Sequence, residues 1–417
     1  MFRLFHLKHD RIAVRGRDCR SNRRSGAGDE EGQKHLRNVR EPVESNPEKR
    51  YGRTRLEAWA LLGVVCFLLF GVKMAADTRA GQKTERVAQA AKLFTESRQA
   101  MGTVFTIYVY ARSQEQAEAL FEPAFDEIER LDRTLSNYEP ESELSRMNRL
   151  AGSEWVTTDP EVFSLLQTCL GYSKRSGGTF DITVGPLMRA WGFFRGQGHY
   201  PAPWELAKAR EKTGWQKVQL DAASRAVHFA VHGMELDLGG IGKGYAVDRV
   251  IAILRAAGVK VAMVDAGSST LYALGAPPGK KGWVVRVPRP GDRSKTISTV
   301  LLKDESLSTS GSYEKFFRLN GRTYCHIMDP RTGAPVEGML QATVIAADGT
   351  TTEALSKPMF VMGIEEGEKY LATFPHAHGL WVVGEIDSFR VREWRWPGCE
   401  GECGETLADG RERTAKP

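Results

Sequence analysis

The sequence predicts an α+β fold, with one folded region behind a disordered basic tail and a single apolar segment. Three observations carry this. Met101 to Tyr110 is a run of β-branched and aromatic residues that reads as a strand, and apolar residues at helical spacing follow it directly. Further strand and helix signals alternate to residue 392 without a strict βαβ rhythm and without a tandem repeat. The composition, 41% hydrophobic and 26% charged over 417 residues, excludes a wholly disordered chain, a collagen-like repeat and a multi-span membrane protein.

Residues 1–57 lack apolar periodicity and are rich in Arg, Gly and Glu, so they read as a disordered tail. They hold 15 Lys and Arg against 9 Asp and Glu, which accounts for the whole net charge of +6; the rest of the chain balances at 43 of each. The basic excess therefore says nothing about the ligand of the folded region, and no nucleic-acid partner is expected. Ala58 to Val72 runs 15 residues without a charge and reaches 19 at Ala76 across Lys73. A bilayer core takes about 20 helical residues, and a lysine near the end can snorkel. A buried core helix would need a packing face that the polar flanks do not supply. A cleaved signal peptide would need a small-x-small site; Lys73-Met74-Ala75 and Met74-Ala75-Ala76 do not provide one, and Thr78-Arg79-Ala80 is only passable. Segment 58–76 is expected to be a transmembrane signal-anchor, with the tail in the cytoplasm and the catalytic region on the extracytoplasmic, periplasmic side.

Residues 77–97 are expected to be a linker, polar and partly helical from residue 84 on. The folded region is expected over 98–392. Behind the first strand, Ser113 and Gln116 form a capping-box pattern. Leu120, Phe121, Ala124, Phe125, Ile128 and Leu131 continue it as an amphipathic helix. Asp159-Pro160, a cap followed by a first-turn proline, opens a second helix with Phe163, Leu166, Cys169 and Leu170 on its apolar side. Gly177 and Gly178 end it. Met234, Leu236 and Leu238 alternate as a strand, residues 243–257 read as a helix closed by Gly258, and Val261 to Val264 as a strand. Strand signals return at 323–328, 341–346 and 379–392, with a helix around 353–363. Residues 393–417 read as a flexible tail, in which Cys399 and Cys403 stand close enough for a local disulfide in an oxidising compartment.

Four segments could carry chemistry. Asp237-Leu-Gly-Gly-Ile-Gly-Lys-Gly-Tyr-Ala-Val-Asp248 puts four glycines between a strand and a helix start, a place where backbone N–H groups can cradle phosphate. It fits neither a P-loop nor a dinucleotide fingerprint, and a plain tight turn explains it equally well. Ser176-Gly-Gly-Thr-Phe-Asp-Ile-Thr-Val-Gly-Pro186 reads as a glycine pair feeding a short strand. Asp181 there either binds a hydroxyl or amide, or caps a turn. Tyr324-Cys-His-Ile-Met-Asp-Pro-Arg-Thr-Gly333 places His326 on a strand, on one face with Tyr324 and Met328. A lone histidine there is more often structural than catalytic. In Thr350-Thr-Thr-Glu-Ala-Leu-Ser-Lys357, Glu353 and Lys357 lie one turn apart. They form either an i,i+4 ion pair or part of a metal or phosphate site.

In this order and spacing the segments resemble the ApbE family, the FAD:protein FMN transferases. Further matching pieces are Met101-Gly-Thr103, Leu131-Asp-x-x-Leu-Ser-x-Tyr138, Ser142-Glu-Leu-Ser145 with Asn148, Gly178-Thr-Phe-Asp181, Val264-Asp-Ala-Gly267, Ser308-Thr-Ser-Gly311 and Phe360-Val-Met-Gly363. The resemblance covers about residues 97–392 and implies a T-fold-like catalytic region that binds FAD with Mg²⁺. It implies transfer of FMN to a Thr or Ser hydroxyl of an exported or membrane redox protein, with release of AMP. By position, Met101, Tyr138, Thr179, Phe180, Asp181, Lys243, Asp248 and His326 would line the FAD site. Gly242, through its carbonyl, and Glu353 would hold the metal. His326 and Lys357 would serve catalysis, His326 as base for the acceptor hydroxyl. The sequence departs from the family twice. Glu353 and Lys357 stand where an Asp and a Thr are usual, and Gly267-Ser268-Ser269 replaces a Gly-Gly-Asp. Lys357 also leaves two other readings open, an exported FAD-binding protein without turnover and an FAD pyrophosphatase.

Overall fold

The computed structural model describes residues 91–194, 196 and 198–398, together with the backbone strand at residues 413–415. The expected tail and signal-anchor lie outside the described residues, as do Cys399 and Cys403. Among the described residues no helix is long and apolar enough to cross a membrane.

The strands, in chain order, are β1 (Lys92–Ala100), β2 (Thr103–Ala111), β3 (Val156–Thr157), β4 (Val218–Asp221), β5 (Ala226–Phe229), β6 (Ala262–Ala266), β7 (Thr270–Leu274), β8 (Trp283–Arg289) and β9 (Asp292–Leu302). They continue with β10 (Glu305–Gly311), β11 (Phe316–Leu319), β12 (Arg322–Cys325), β13 (Met328–Asp329), β14 (Ala334–Pro335), β15 (Met339–Ala346), β16 (His378–Glu385), β17 (Ser388–Trp394) and β18 (Arg413–Ala415). The α-helices are α1 (Gln114–Leu135), α2 (Glu143–Leu150), α3 (Pro160–Arg175), α4 (Gly185–Ala190), α5 (Pro203–Glu211), α6 (Gly242–Ala256) and α7 (Gly349–Leu371).

Nine strands form one antiparallel sheet in the order β1-β2-β6-β7-β10-β15-β16-β17-β18. Helices α1, α6 and α7 pack on one side: the apolar stripes of α1 and α6 share a core with the inward residues of β2 and β6, where Phe105, Ile107, Phe121, Phe125, Ile128, Val250 and Val264 are buried together, while Leu355, Met359 and Phe360 of α7 pack with Ala342, Val344 and Trp381 of β15 and β16. The β8–β9 ribbon covers part of the sheet elsewhere, through Trp283, Val285, Val300 and Leu302 against Leu271 and Ile345. The α+β expectation holds.

The helix boundaries follow the capping residues. Ser113 accepts from the Gln116 N–H while Gln116 accepts from the Arg112 N–H, and Asp159 accepts from the Glu161 N–H ahead of Pro160. Four expectations change. The supposed linker ends in a strand: β1 pairs residue for residue with β2, Lys92 opposite Ala111 and Ala100 opposite Thr103. It sits at the sheet edge with one wet face, and Arg98 reaches over the Phe125 ring to Glu122, so its period-2 pattern is written in polar residues. The folded body therefore begins by Lys92, not residue 98. Residues 234–238 form no strand, although Met234, Leu236 and Leu238 are buried. The Asn148 side chain takes the place of a neighbouring strand, bonding both the N–H and the C=O of Leu236 at 2.7 and 3.0 Å. Residues 379–392 are a hairpin of β16 and β17 rather than one run. The last long helix starts at Gly349, capped by Asp348, and runs to Leu371 with a break in the helical path at Gly363.

Candidate functional site

Helices α6 and α7 meet start to start. A Cβ on Gly349 would lie 2.6 Å from the Gly244 carbonyl oxygen, and a Cβ on Gly244 would run into the Gly349 carbonyl. Only two glycines allow the backbones this close. The approach is locked by Asp248 on α6, whose carboxylate accepts from the N–H groups of Gly349 (2.6 Å) and Thr350 (2.8 Å) and from the Thr350 hydroxyl (2.6 Å).

The consequence is an ion cluster at the mouth of the glycine loop. Glu353 is fully buried. Its Oε2 accepts from the Gly244 N–H at 2.5 Å, and its Oε1 meets Lys243 Nζ at 3.0 Å and Lys357 Nζ at 3.3 Å. Burial alone would raise its pKa, but Lys243, Lys357 and the Gly244 N–H overcome that and hold it at about 2. Burial, opposed by Glu353, pushes Lys357 down to about 8. Both lysine side chains keep 22% exposure, so each reaches solvent along part of its length while its ammonium is drawn in to Glu353. Gly240 forms the floor: a Cβ there would lie 3.8 Å from Lys357 Cε and 3.9 Å from Phe180 Cε2.

His326 does not lie within a strand. It sits at the break between β12 and β13, where its Nδ1 is 3.1 Å from the Lys315 carbonyl oxygen. A carbonyl only accepts, so the network assigns the ring hydrogen to Nδ1 and leaves the lone pair on Nε2. Burial, and then the charges of Lys315, Lys243 and Lys357, push the imidazole down to about 3. His326 is thus neutral at physiological pH and can accept a proton at Nε2.

Met101 reaches the same place from the β1–β2 turn. It and Gly102 have φ of 50° and 70°, the pair of positive values a tight hairpin needs. Asp132 accepts from the Met101 N–H at 2.7 Å, and Met101 Cε lies 3.2 Å from where a Gly242 Cβ would stand. Tyr138 is 65% exposed and stacks on Phe194 at 4.7 Å, with the Arg189 guanidinium on the same Phe194 ring. Phe180 is buried against Tyr172, which is held by a 2.8 Å bond between its hydroxyl and that of Thr351.

Met101, Phe180, Gly242, Lys243, His326, Glu353 and Lys357 therefore converge. The polar groups of Thr179, Asp181 and Asp248 do not reach this opening. Thr179 donates to the Ser176 carbonyl (2.9 Å). Asp181 accepts from the Thr183 N–H and hydroxyl and the Trp215 N–H, at 2.7 to 2.9 Å. The short strand expected around them is a turn, and Asp181 holds it closed instead of offering a free carboxylate. Asp248 is a strut between helices. Two residues escaped sequence reasoning. Lys315 lies in a loop with no motif, and Asp237 was read only as part of the glycine segment. Its carboxylate accepts from the Gly239 N–H, and Lys315 and Lys243 counter the rise that burial imposes. At the second departure from the family pattern, Ser268 stands at φ 59°, its N–H bonded to Asp265.

The chain is similar to known proteins over most of its described length. The sequence profile of the ApbE family matches residues 101–381. An FAD:protein FMN transferase of Treponema pallidum is 30% identical over 321 residues, covering 71% of this chain and 88% of the relative. One from Klebsiella pneumoniae is 31% identical over 281 residues, 66% of this chain and 84% of the relative. The crystal structure of the ApbE protein from Thermotoga maritima superposes with a TM-score of 0.66 at 32% identity, over 73% of this chain and 97% of that one. The apo flavinyl transferase ApbE of Pseudomonas stutzeri also gives 0.66, at 29% identity over 73% and 96%.

Proposed function

The chain belongs to the ApbE family and is an FAD:protein FMN transferase; we propose that it moves the FMN moiety of FAD onto a Thr or Ser hydroxyl of an exported or membrane redox protein and releases AMP. The observation that carries this reading is one opening that holds a neutral His326 with a free Nε2, two ammonium groups on a buried carboxylate, and a glycine floor. Met101, Tyr138, Phe180, Lys243, Lys357 and His326 are the residues left to line the flavin nucleotide. Thr179, Asp181 and Asp248 shape the site from behind.

In the proposed reaction His326 Nε2 takes the proton of the acceptor hydroxyl as its oxygen attacks the flavin-side phosphorus. The bond from that phosphorus to the bridging oxygen breaks, and AMP leaves on that oxygen. The lysines around His326 disfavour an imidazolium, so the proton passes on to the departing AMP. Lys243 and Lys357 offset the charge that grows on the phosphate oxygens, the main requirement of phosphoryl transfer.

The expected magnesium does not fit this donor set. Mg²⁺ takes near-octahedral oxygen ligands, and beside a nucleotide one or two carboxylates suffice with phosphate oxygens and water, provided those carboxylates are free to bind it. Here there is one carboxylate, Glu353, already bonded to two ammonium groups and an amide N–H, beside the Gly242 backbone. Among the described residues no three His, Cys, Asp or Glu side chains gather as a metal site. A cation entering between the lysines would meet like charges, and unit charges about 4 Å apart at an effective dielectric near 20 already cost about 4 kcal/mol. No step is therefore assigned to a metal.

The basic tail and the 58–76 segment support an anchored enzyme whose catalytic body faces the extracytoplasmic side. The test of function is product analysis of the full chain with FAD and a protein that one of the relatives loads with FMN. AMP should appear in an amount equal to the flavin fixed on the acceptor. Free FMN with AMP would make it a pyrophosphatase, and intact FAD a binding protein.

A further inference from the structure

We propose that Lys357, together with Lys243, takes the place of the divalent cation at the FAD pyrophosphate, so that this chain binds FAD without metal. The inference rests on the reading above that FAD enters this opening, and it goes beyond it by naming what neutralises the phosphates.

Three independent observations support it. The first is the chemistry at the position one helical turn after Glu353. An ammonium stands there, which cannot ligate a cation while charged, and it is directed at the one carboxylate that could, with Nζ 3.3 Å from Oε1. The second is the charge count. Two ammonium groups share Glu353, and with Lys315 and the Asp237 carboxylate beside them the count is three ammonium groups against two carboxylates, a net positive charge before any ligand arrives. Each of the two ammonium groups on Glu353 has three N–H donors and gives one to it, which leaves donors on both for phosphate oxygens. The third is placement. Lys357 Cε and the Phe180 ring border the same point above Gly240, so the lysine stem lies over the glycine loop; the Gly244 N–H at this helix start is already taken by Glu353, so the ammonium groups are the donors that remain for an anion. Glu353 in this arrangement is a positioning residue. It gathers the two lysines, and opposes the fall that burial imposes on Lys357, in a site closed on one side by the α6–α7 contact.

The test is FAD affinity of the full chain, read by flavin fluorescence, in EDTA and in excess Mg²⁺, with Mn²⁺ titration followed by electron paramagnetic resonance. The dissociation constant should be the same within about twofold in both buffers, a difference well under the tenfold that about 1.4 kcal/mol represents. No bound Mn²⁺ should be seen. Lys357→Met should weaken FAD by about tenfold or more in both, as expected for loss of a charge-assisted contact. Lys357→Thr should make binding respond to Mg²⁺. FAD binding by the wild-type chain that appears only with Mg²⁺ would overturn this inference and leave the transferase reading intact. No FAD binding in either buffer would overturn both. The wild-type comparison needs no variant to fold, and Lys243→Met provides the second loss-of-charge measurement should Lys357→Met be unstable.

Discussion

Glu353 holds two cations in place from a position with no solvent contact, so its removal is costly in a way that its exposed counterparts are not. Glu353→Gln leaves two ammonium groups facing a neutral amide. It should lower unfolding free energy by about 3 kcal/mol, the loss expected when one partner of a buried ion pair is removed, read as a fall in the denaturant midpoint. His326 gives the second residue-scale prediction. Its pKa is pushed to about 3, first by burial and then by Lys315, Lys243 and Lys357. A base works in its neutral form, so the transfer rate should show no acidic limb in the range near 6.5 where an ordinary histidine titrates. Lys315→Met removes the charge that acts most strongly on His326 and raises the pKa. The acidic limb of kcat/KM should then move up toward neutrality, while a rate profile unchanged from wild type would remove His326 from the proton path.

At the scale of elements, the site depends on two helices whose first turns touch backbone to backbone. Gly244→Ala puts a methyl group against the Gly349 carbonyl and should cost about 1–3 kcal/mol or more, as overpacking does. Gly240→Ala meets only ordinary contacts, so its stability should stay within about 0.5 kcal/mol of wild type while FAD affinity falls. Thermal unfolding of both variants, with FAD binding on the second, separates floor from hinge. The capped helices were legible in the sequence because Ser113, Asp159 and Pro160 act on their immediate neighbours. Strand β1 and the segment 234–238 were not. The first is an edge strand whose polar face hides its period, and the second is paired by one distant side chain, Asn148. The bonds that hold Asp181 and Asp248 are of the same kind. Asp181 adds to its local bonds from Thr183 one from Trp215, 34 residues on, and the Asp248 partners Gly349 and Thr350 lie 101 and 102 residues away, so a free ligand and a structural cap look alike in the sequence.

For the whole molecule, one antiparallel sheet carries a helix layer whose inner ends assemble the site, and the net charge lies outside this body, in residues 1–57. If the 58–76 segment is an anchor, alkaline phosphatase fused behind residue 90 should be active in cells, whereas inactive fusions would place the body in the cytoplasm. Lys243, His326, Glu353 and Lys357 were legible because each stands in a short motif whose order matched a family. Lys315 stood in none, and only folding brings its carbonyl to His326. The proposed work of this opening is to move FMN from FAD to protein. Its most direct test is tandem mass spectrometry of the acceptor after incubation with the full chain and FAD. An acceptor heavier by one FMN moiety, carried on a Thr or Ser, is expected; an acceptor of unchanged mass beside a chain that binds FAD would rule the transfer out.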